Sequence, residues 1–69
     1  MDILFNERLL QLRKERGLSQ LELAKILETT QRRISYMELG KVEPDLETLV
    51  LLAKFFDVTI DYLIGIKDY

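Results

Sequence analysis

The side chains with the greatest hydrogen-bonding capacity lie close together in the middle of the sequence. Gln31, Arg32, Ser35 and Tyr36 fall on one face of a predicted helix, and Arg33 lies beside them. Amide, guanidinium and hydroxyl groups at this spacing fit the edges of nucleic-acid bases and the neighbouring phosphates. The segment therefore predicts a polar contact surface, and the alternative is a set of solvated side chains.

Other kinds of chemistry have few residues to carry them. The sequence of 69 residues contains no Cys and no His, so it lacks common metal ligands and the side chain that titrates near neutral pH. Two carboxylate pairs, Asp57 with Asp61 and Glu43 with Asp45, suggest a paired-acid enzyme, but helix caps and solvated surface explain them better. The sequence has no glycine-rich phosphate loop and no nucleophile–base set. We therefore expect no enzyme, no cofactor and no metal.

The elements that must position the polar segment are five short helices and no strand. They are expected in one all-α domain, residues 1–69, whose core spans about 6–65. The helices are predicted at about 6–16, from 19, from 30 to 40, after 44 and at 59–64, between turn-favouring residues. Their inward-facing residues are expected to be Phe5, Leu9, Leu12, Leu23, Ala24, Leu27, Ile34, Met37, Leu46, Leu49, Leu52, Ala53 and Phe56.

Several helix ends are specified by side chains that can cap them. Ser19 and Glu22 have the spacing of a capping box, in which each side chain bonds the backbone N–H of the other residue. Asp45 and Thr59 are the expected N-caps of the fourth and fifth helices. The turn between the second and third helices is so short that the helices must cross steeply, and the small side chain of Ala24 lets them approach.

Motifs spaced across all five helices resemble those of one family. In order, they are Arg13, 17–24 (GLSQLELA), 34–41 (ISYMELGK), 44–49 (PDLETL) and 61–65 (DYLIG). Over about residues 8–65 the chain is similar to the Cro/repressor-type, lambda-repressor-like helix-turn-helix family, which includes XRE-like small bacterial regulators. The resemblance implies that the second and third helices form the helix-turn-helix and that the third lies in the major groove of double-stranded DNA. It also implies a homodimer on a two-fold-symmetric operator.

The resemblance further implies roles for individual residues. The positions expected at base edges are Gln31, Arg32 and Tyr36, with Ser35 on the same face. The positions expected at phosphates are Gln20, Lys41 and backbone N–H groups near Gly40, with Arg33 divided between phosphate contact and plain solvation. Gln20 is also expected to brace the side chain of Gln31. Arg13 and Glu38 match a pair that forms an internal salt bridge in several relatives.

The sequence departs from the family pattern in three places. Glu28 stands where the turn usually has Gly, Thr29 replaces an apolar residue, and Leu39 replaces a residue that is often basic or polar. A positive φ at Glu28 would cost about 1 kcal/mol, which the fold can tolerate. We therefore expect these departures to leave the fold intact.

Seven apolar residues lie outside the predicted inward faces, which indicates an interface. They are Leu10, Leu39, Leu51, Phe55, Tyr62, Ile66 and Tyr69. Family dimers meet through the start of the fifth helix, so the expected homodimer interface consists of Phe55, Ile60, Tyr62 and Ile66. The alternative is a monomer that dimerises only on DNA.

The resulting hypothesis is a sequence-specific transcriptional repressor that binds an operator. Two alternatives stay open: an antitoxin or anti-repressor type of interaction module with a protein partner, and a controller or activator of a restriction–modification-like operon. The mixed charge of residues 1–8 and the short apolar run at 49–53 predict neither a signal peptide nor a membrane span. We therefore expect a cytoplasmic protein with no membrane contact and no domain for a small-molecule ligand.

The net charge of −2 conceals an uneven distribution along the chain. Residues 1–42 carry 8 basic and 6 acidic side chains, whereas residues 43–69 carry 2 basic and 6 acidic side chains. The predicted DNA-contacting segment thus belongs to the more basic part. Because its cations are few, we expect weak non-specific binding and a strong dependence on base contacts and dimerisation.

Overall fold

The computed structural model describes residues 4–67, which form five α-helices and no strand. The helices are α1 (Phe5–Glu15), α2 (Gln20–Ile26), α3 (Gln31–Glu38), α4 (Leu46–Phe56) and α5 (Ile60–Ile64). The predicted all-α fold of five helices is confirmed. The first helix begins and ends one residue earlier than predicted, because Phe5 already has helical geometry and Arg16 is the C-cap.

Side chains cap four of the five helices at their N-terminal ends. In the predicted capping box, Ser19 Oγ accepts the N–H of Glu22 at 3.0 Å and Glu22 Oε1 accepts the N–H of Ser19 at 2.9 Å. The Ser19 N–H, followed by the Ser19 hydroxyl, lowers the pKa of Glu22. Thr30, Asp45 and Thr59 each accept the N–H three residues further on, at the starts of α3, α4 and α5. The caps satisfy N–H groups that have no partner within their helix.

The core is formed by residues from all five helices. The buried apolar side chains are Phe5, Leu9, Leu12, Leu23, Ala24, Ile34, Met37, Leu52, Phe56 and Leu63. Leu27, Leu49 and Ala53 pack against them while partly exposed, so these predicted inward positions are confirmed. The prediction for Leu46 is wrong, since 73% of this residue is exposed. Leu46 is the first residue of α4, and this first position lies beyond the helices that cover the rest of the stripe.

The turn between α2 and α3 uses a left-handed residue that is not glycine. Glu28, which stands where the family usually has Gly, has a φ of +56°. The N–H of Thr29 donates to the carbonyl of Ala24 at 2.9 Å, which closes the end of α2. Ala24 itself is 1% exposed, so a longer side chain would have no room between the two helices. The short turn between α2 and α3 therefore depends on one small side chain and one strained backbone position.

The two ends of the described chain meet along what we call the α1–α5 seam, formed by Leu4 and Arg8 on one side and residues 62–67 on the other. The N–H of Leu4 donates to the carbonyl of Ile64 at 3.2 Å. Gly65 has φ +88°, and a Cβ there would lie 3.0 Å from the Leu4 side chain. Only glycine fits this combination of backbone geometry and close approach. Because α1 has no side-chain N-cap, the seam also anchors its first turn.

Candidate nucleic-acid interface

The outer face of α3 carries the side chains that the sequence predicted at base edges. Gln31 and Arg32 are exposed, and Ser35 and Tyr36 are half-buried. On the opposite side of the same helix, Ile34 and Met37 are fully buried. The packing of the inner side fixes the direction in which the outer side chains project. We call the four residues Gln31, Arg32, Ser35 and Tyr36 the outer face of α3.

Tyr36, one residue of this outer face, lies close to two cationic side chains. Arg32 Nε donates to Tyr36 Oη at 3.1 Å, and the Arg32 guanidinium lies 5.3 Å from the centre of the Tyr36 ring. Lys41 Nζ lies 5.6 Å from the same ring centre. The structure therefore brings a predicted base-contacting residue and a predicted phosphate-contacting residue together on one aromatic side chain.

The remaining predicted phosphate contacts differ in how their charge is compensated. Lys41 and Gly40 are exposed where the chain leaves α3. Arg33 Nη2 lies 3.9 Å from Asp45 Oδ1, so a carboxylate of the acidic part of the sequence faces α3. Hydrogen bonds from the Thr48 hydroxyl and N–H, with a smaller contribution from the Arg33 charge, lower the pKa of Asp45. Asp45 thus stays ionised next to Arg33 and offsets part of its positive charge.

Arg13 and Glu38 form a buried ion pair between α1 and α3. Arg13 Nε donates to Glu38 Oε2 at 2.6 Å and Nη2 to Oε1 at 3.1 Å, while Nη1 donates to the carbonyl of Leu18 at 2.8 Å. The two side chains are 12% and 5% exposed. The hydrogen bond with Glu38 raises the pKa of Arg13. The bidentate geometry and the low exposure make this pair a structural link.

Gln20 is a third member of this network, which the sequence did not indicate. Its Nε2 donates to Glu38 Oε1 at 3.0 Å. No hydrogen bond joins Gln20 to Gln31 in the part of the chain that the structure describes, so the expected brace between them is not made here. The amide has a second N–H, which leaves Gln20 able to reach one more acceptor.

We call the predicted dimer residues Phe55, Ile60, Tyr62 and Ile66 the C-terminal apolar surface. The first three are half-buried, and Ile66 is 42% exposed. Phe55 packs edge-to-face on Phe56 with ring centres 4.9 Å apart. Part of the surplus apolar area therefore serves the core. Leu39 and Leu51 are exposed and Leu10 is half-buried, whereas Tyr69 lies outside the described residues.

Arg8 is a further contact that the sequence analysis missed. Its guanidinium lies 4.1 Å from the centre of the Tyr62 ring. Its Nη1 donates to the carbonyls of Tyr62 at 3.1 Å and Lys67 at 3.3 Å. Arg8 and Tyr62 are 54 positions apart, so no local spacing rule could have paired them.

Two further observations concern the described residues, 4–67. No group of three or more acidic, His or Cys side chains is arranged to hold a metal ion. None of the helices is long and apolar enough to cross a membrane.

Comparisons with known proteins agree with this architecture. A sequence model of the helix-turn-helix family matches residues 9–63. The chain is 47% identical over 61 residues to the HTH-type transcriptional activator BcrR of Enterococcus faecalis, an alignment that covers 88% of this chain and 30% of BcrR. The chain spans between 30% and 58% of the length of the curated relatives that it matches.

Two solved structures extend the comparison. A transcriptional regulator from Listeria innocua has a TM-score of 0.90 and 37% identity, covering 94% of this chain and 61% of that chain. The P22 c2 repressor, in complex with a synthetic operator, has a TM-score of 0.83 and 31% identity, covering 88% of this chain and 92% of the repressor. The family match over most of the sequence and the shared five-helix fold give one conclusion: the chain belongs to the lambda-repressor-like helix-turn-helix family of DNA-binding transcriptional regulators.

Proposed function

We propose that the chain binds a specific operator and represses transcription by occupying it. The observation that carries the proposal is the outer face of α3, which presents polar side chains outward from a helix whose inner side is buried. A helix of this kind can enter the major groove with its side chains already directed at the base edges. The P22 c2 repressor, which is similar to this chain, is solved with a synthetic operator.

In this proposal, base recognition and phosphate contacts fall to different residues. The outer face of α3 contacts base edges, with Gln31 suited to adenine and Arg32 to guanine. A good bidentate contact of either kind is worth about 1–3 kcal/mol of discrimination. The N–H of Gly40 already donates to the carbonyl of Met37 at 3.2 Å and so is not offered as a phosphate donor. Phosphates are contacted by Lys41, by Arg33 and by the second N–H of Gln20. Because these cations are few, affinity depends on pairing two copies of the domain on one operator.

The experiment that tests the proposal is selection of bound sequences from a random pool of duplex DNA, at about 100 mM salt to suppress non-specific binding. We expect a palindromic consensus whose half-sites are about one helical turn apart. A pool that shows no enrichment over the starting sequences would contradict the proposed function.

Homodimerisation through the C-terminal apolar surface is the second part of the proposal. The exposed side chain of Ile66 and the half-buried Tyr62 support it, since a second copy would cover apolar area that this chain leaves in water. Sedimentation of Tyr62→Glu against the parent tests it, with circular dichroism to show that the variant folds. We expect the variant to sediment as a monomer at concentrations where the parent is a dimer. A parent that is monomeric at all concentrations would contradict the interface.

Activation is the second candidate function, and it is favoured by the name of one relative. BcrR, which is 47% identical over the aligned residues, is an HTH-type transcriptional activator. Repressors and activators, including controllers of restriction–modification-like operons, use the same DNA-contacting surface. The position of the selected operator relative to the promoter distinguishes them, because a repressor overlaps the polymerase site and an activator lies beside it.

An interaction module of the antitoxin or anti-repressor type is the third candidate. Exposed apolar side chains outside the C-terminal apolar surface favour a protein partner: Leu21, Ile26, Leu39 and Leu46. In that case the random-pool selection would enrich no sequence, whereas a small protein encoded by a neighbouring gene would bind the purified chain.

A further inference from the structure

We infer that Tyr36 is a positioning residue that holds Arg32 so that its terminal guanidinium edge meets a guanine. The inference rests on the proposed function, because it concerns how the outer face of α3 selects one base. It assigns the Tyr36 hydroxyl an action through Arg32 in place of a hydrogen bond of its own to the DNA.

The first observation is the way in which Arg32 uses its donors. Nε is bonded to Tyr36 Oη at 3.1 Å. Among residues 4–67, no hydrogen bond or ion pair involves the Arg32 Nη1 and Nη2 groups. These two nitrogens form the end of the planar fork, and their parallel N–H groups match the O6 and N7 acceptors of guanine in the major groove. The hydroxyl thus engages the side edge of the guanidinium and leaves the end edge open.

The second observation is the anchoring of Tyr36 itself. Tyr36 is half-buried, whereas Arg32 is exposed. The backbone N–H of Lys41 donates to the Tyr36 carbonyl at 2.9 Å, and the Lys41 ammonium lies 5.6 Å from the ring centre. The ring is therefore held by the helix, by its partial burial and by a neighbouring cation. It provides a fixed support for a side chain that otherwise has many rotamers.

Fixing Arg32 before binding has a thermodynamic consequence. An exposed arginine loses rotamer freedom when it docks on a base, and this loss opposes binding. If the hydroxyl of Tyr36 already restricts Arg32, less freedom is lost and the preference for guanine increases. The gain applies at a single base pair, since only the base under Arg32 benefits from it.

The test is a double-mutant cycle on the selected operator, using Tyr36→Phe and Arg32→Ala. Phenylalanine keeps the ring and its contacts with the cations but removes the hydroxyl acceptor. In the parent, we expect Tyr36→Phe to lower the preference for guanine at one base pair by about threefold to tenfold, the range for loss of one hydrogen bond. In the Arg32→Ala background, the same change is expected to leave base preference unaltered, because nothing is left to position.

Other outcomes have equally definite meanings. If Tyr36→Phe weakens binding by the same factor in both backgrounds, the hydroxyl contacts DNA itself and the inference is overturned. If Tyr36→Phe leaves the preference unchanged in the parent, the contact with Arg32 has no role in selection, which also overturns it. A parent that selects no sequence at all contradicts the proposed function, a result separate from either of these. Thermal unfolding of each variant shows whether the fold is kept.

Discussion

Within residues 4–67, two arginine–tyrosine pairs place the same chemical groups in different surroundings. On α3, Arg32 and Tyr36 are four positions apart, and the guanidinium donates from Nε to the hydroxyl. Across the α1–α5 seam, the Arg8 guanidinium lies closer to its ring, at 4.1 Å against 5.3 Å, and donates from Nη1 to two backbone carbonyls. Tyr62 contributes its ring and its backbone carbonyl, whereas Tyr36 contributes its ring and its hydroxyl.

The difference shows that the donors of an arginine, and what they bond, indicate its role better than its aromatic partner does. Arg8 donates from its terminal nitrogen to the carbonyl of Tyr62 in α5 and to the carbonyl of Lys67 beyond the end of α5, and so joins α1 to the C-terminal end of the described chain. Arg32 keeps its terminal nitrogens available for a ligand. Arg13 is the limiting case, because Nε, Nη1 and Nη2 are all bonded within the protein.

The largest expected effect is the loss of stability when the ion pair between Arg13 and Glu38 is broken. Glu38→Gln leaves the buried Arg13 charge without its counter-ion, and we expect the free energy of unfolding to fall by about 3 kcal/mol. Urea unfolding measures it. The control is Glu7→Gln, an exposed carboxylate in the first turn of α1, for which the loss should stay below about 0.5 kcal/mol. Equal effects of the two substitutions would show that the buried pair contributes no more than a surface charge.

The next largest effects are expected on operator binding and not on the stability of the fold. Arg32→Ala is expected to remove about 1–3 kcal/mol of discrimination at one base pair while unfolding is unchanged. Lys41→Ala is expected to weaken all sequences alike and to reduce the slope of log K against log salt by about one unit. Lys14→Ala, which removes an exposed cation from the last turn of α1, is the matched control. If neither Arg32→Ala nor Lys41→Ala alters operator binding, α3 does not lie in the groove.

A smaller effect is expected at the other arginine–tyrosine pair. Arg8→Ala loses the contact with the Tyr62 ring, a part-buried hydrogen bond to the Tyr62 carbonyl and an exposed one to the Lys67 carbonyl, so stability should fall by about 1–2 kcal/mol. The base preference in the random-pool selection should not change. A shift in base preference with unchanged stability would reverse the roles that we assign to Arg8 and Arg32.

The smallest expected effect is a pH dependence of stability that arises at the helix caps and involves neither arginine–tyrosine pair. The pKa values of Glu22 and Asp45 are lowered in the folded protein from ordinary values of 4.5 and 3.8. Groups of this kind stabilise the fold above the unfolded pKa, and that contribution is lost as pH falls through the folded pKa. Stability should therefore decline as the pH drops below about 4.5. A Glu22→Gln, Asp45→Asn variant should show a shallower decline in urea unfolding across that range, and an identical decline would assign the loss to other carboxylates.

Local patterns predicted most of the fold. The capping box at Ser19 and the N-caps at Asp45 and Thr59 depend on neighbouring residues alone, and the structure contains each of them. The apolar stripes also held, because helical periodicity selects one face wherever neighbouring helices cover it. The prediction for Leu46 was wrong because periodicity shows which face of a helix is apolar, but not how far along the helix that face is buried.

The outer face of α3 could be predicted as a set of residues but not as a set of contacts. Helical spacing places Arg32 and Tyr36 together, so a contact between this i, i+4 pair could have been predicted from the sequence. The contacts of Gln20 with Glu38, of Arg33 with Asp45 and of Arg8 with Tyr62 join different elements. They depend on how the helices pack, which residue types and short-range spacing do not encode.

We expect the α1–α5 seam to be the part of the domain that opens first. Its hydrogen bonds join residues up to 60 positions apart, Leu4 and Ile64. Forming the seam therefore closes the longest loop in the described chain, and loop closure of this length costs more chain entropy than contacts between near neighbours. Partial unfolding should therefore release α5 before α2 and α3 separate. Native-state hydrogen exchange should find faster exchange for the amides of α5 than for the buried turns of α3. Because Tyr62 belongs both to the seam and to the proposed dimer surface, association of two copies would slow this opening and link the lifetime of the folded state to protein concentration.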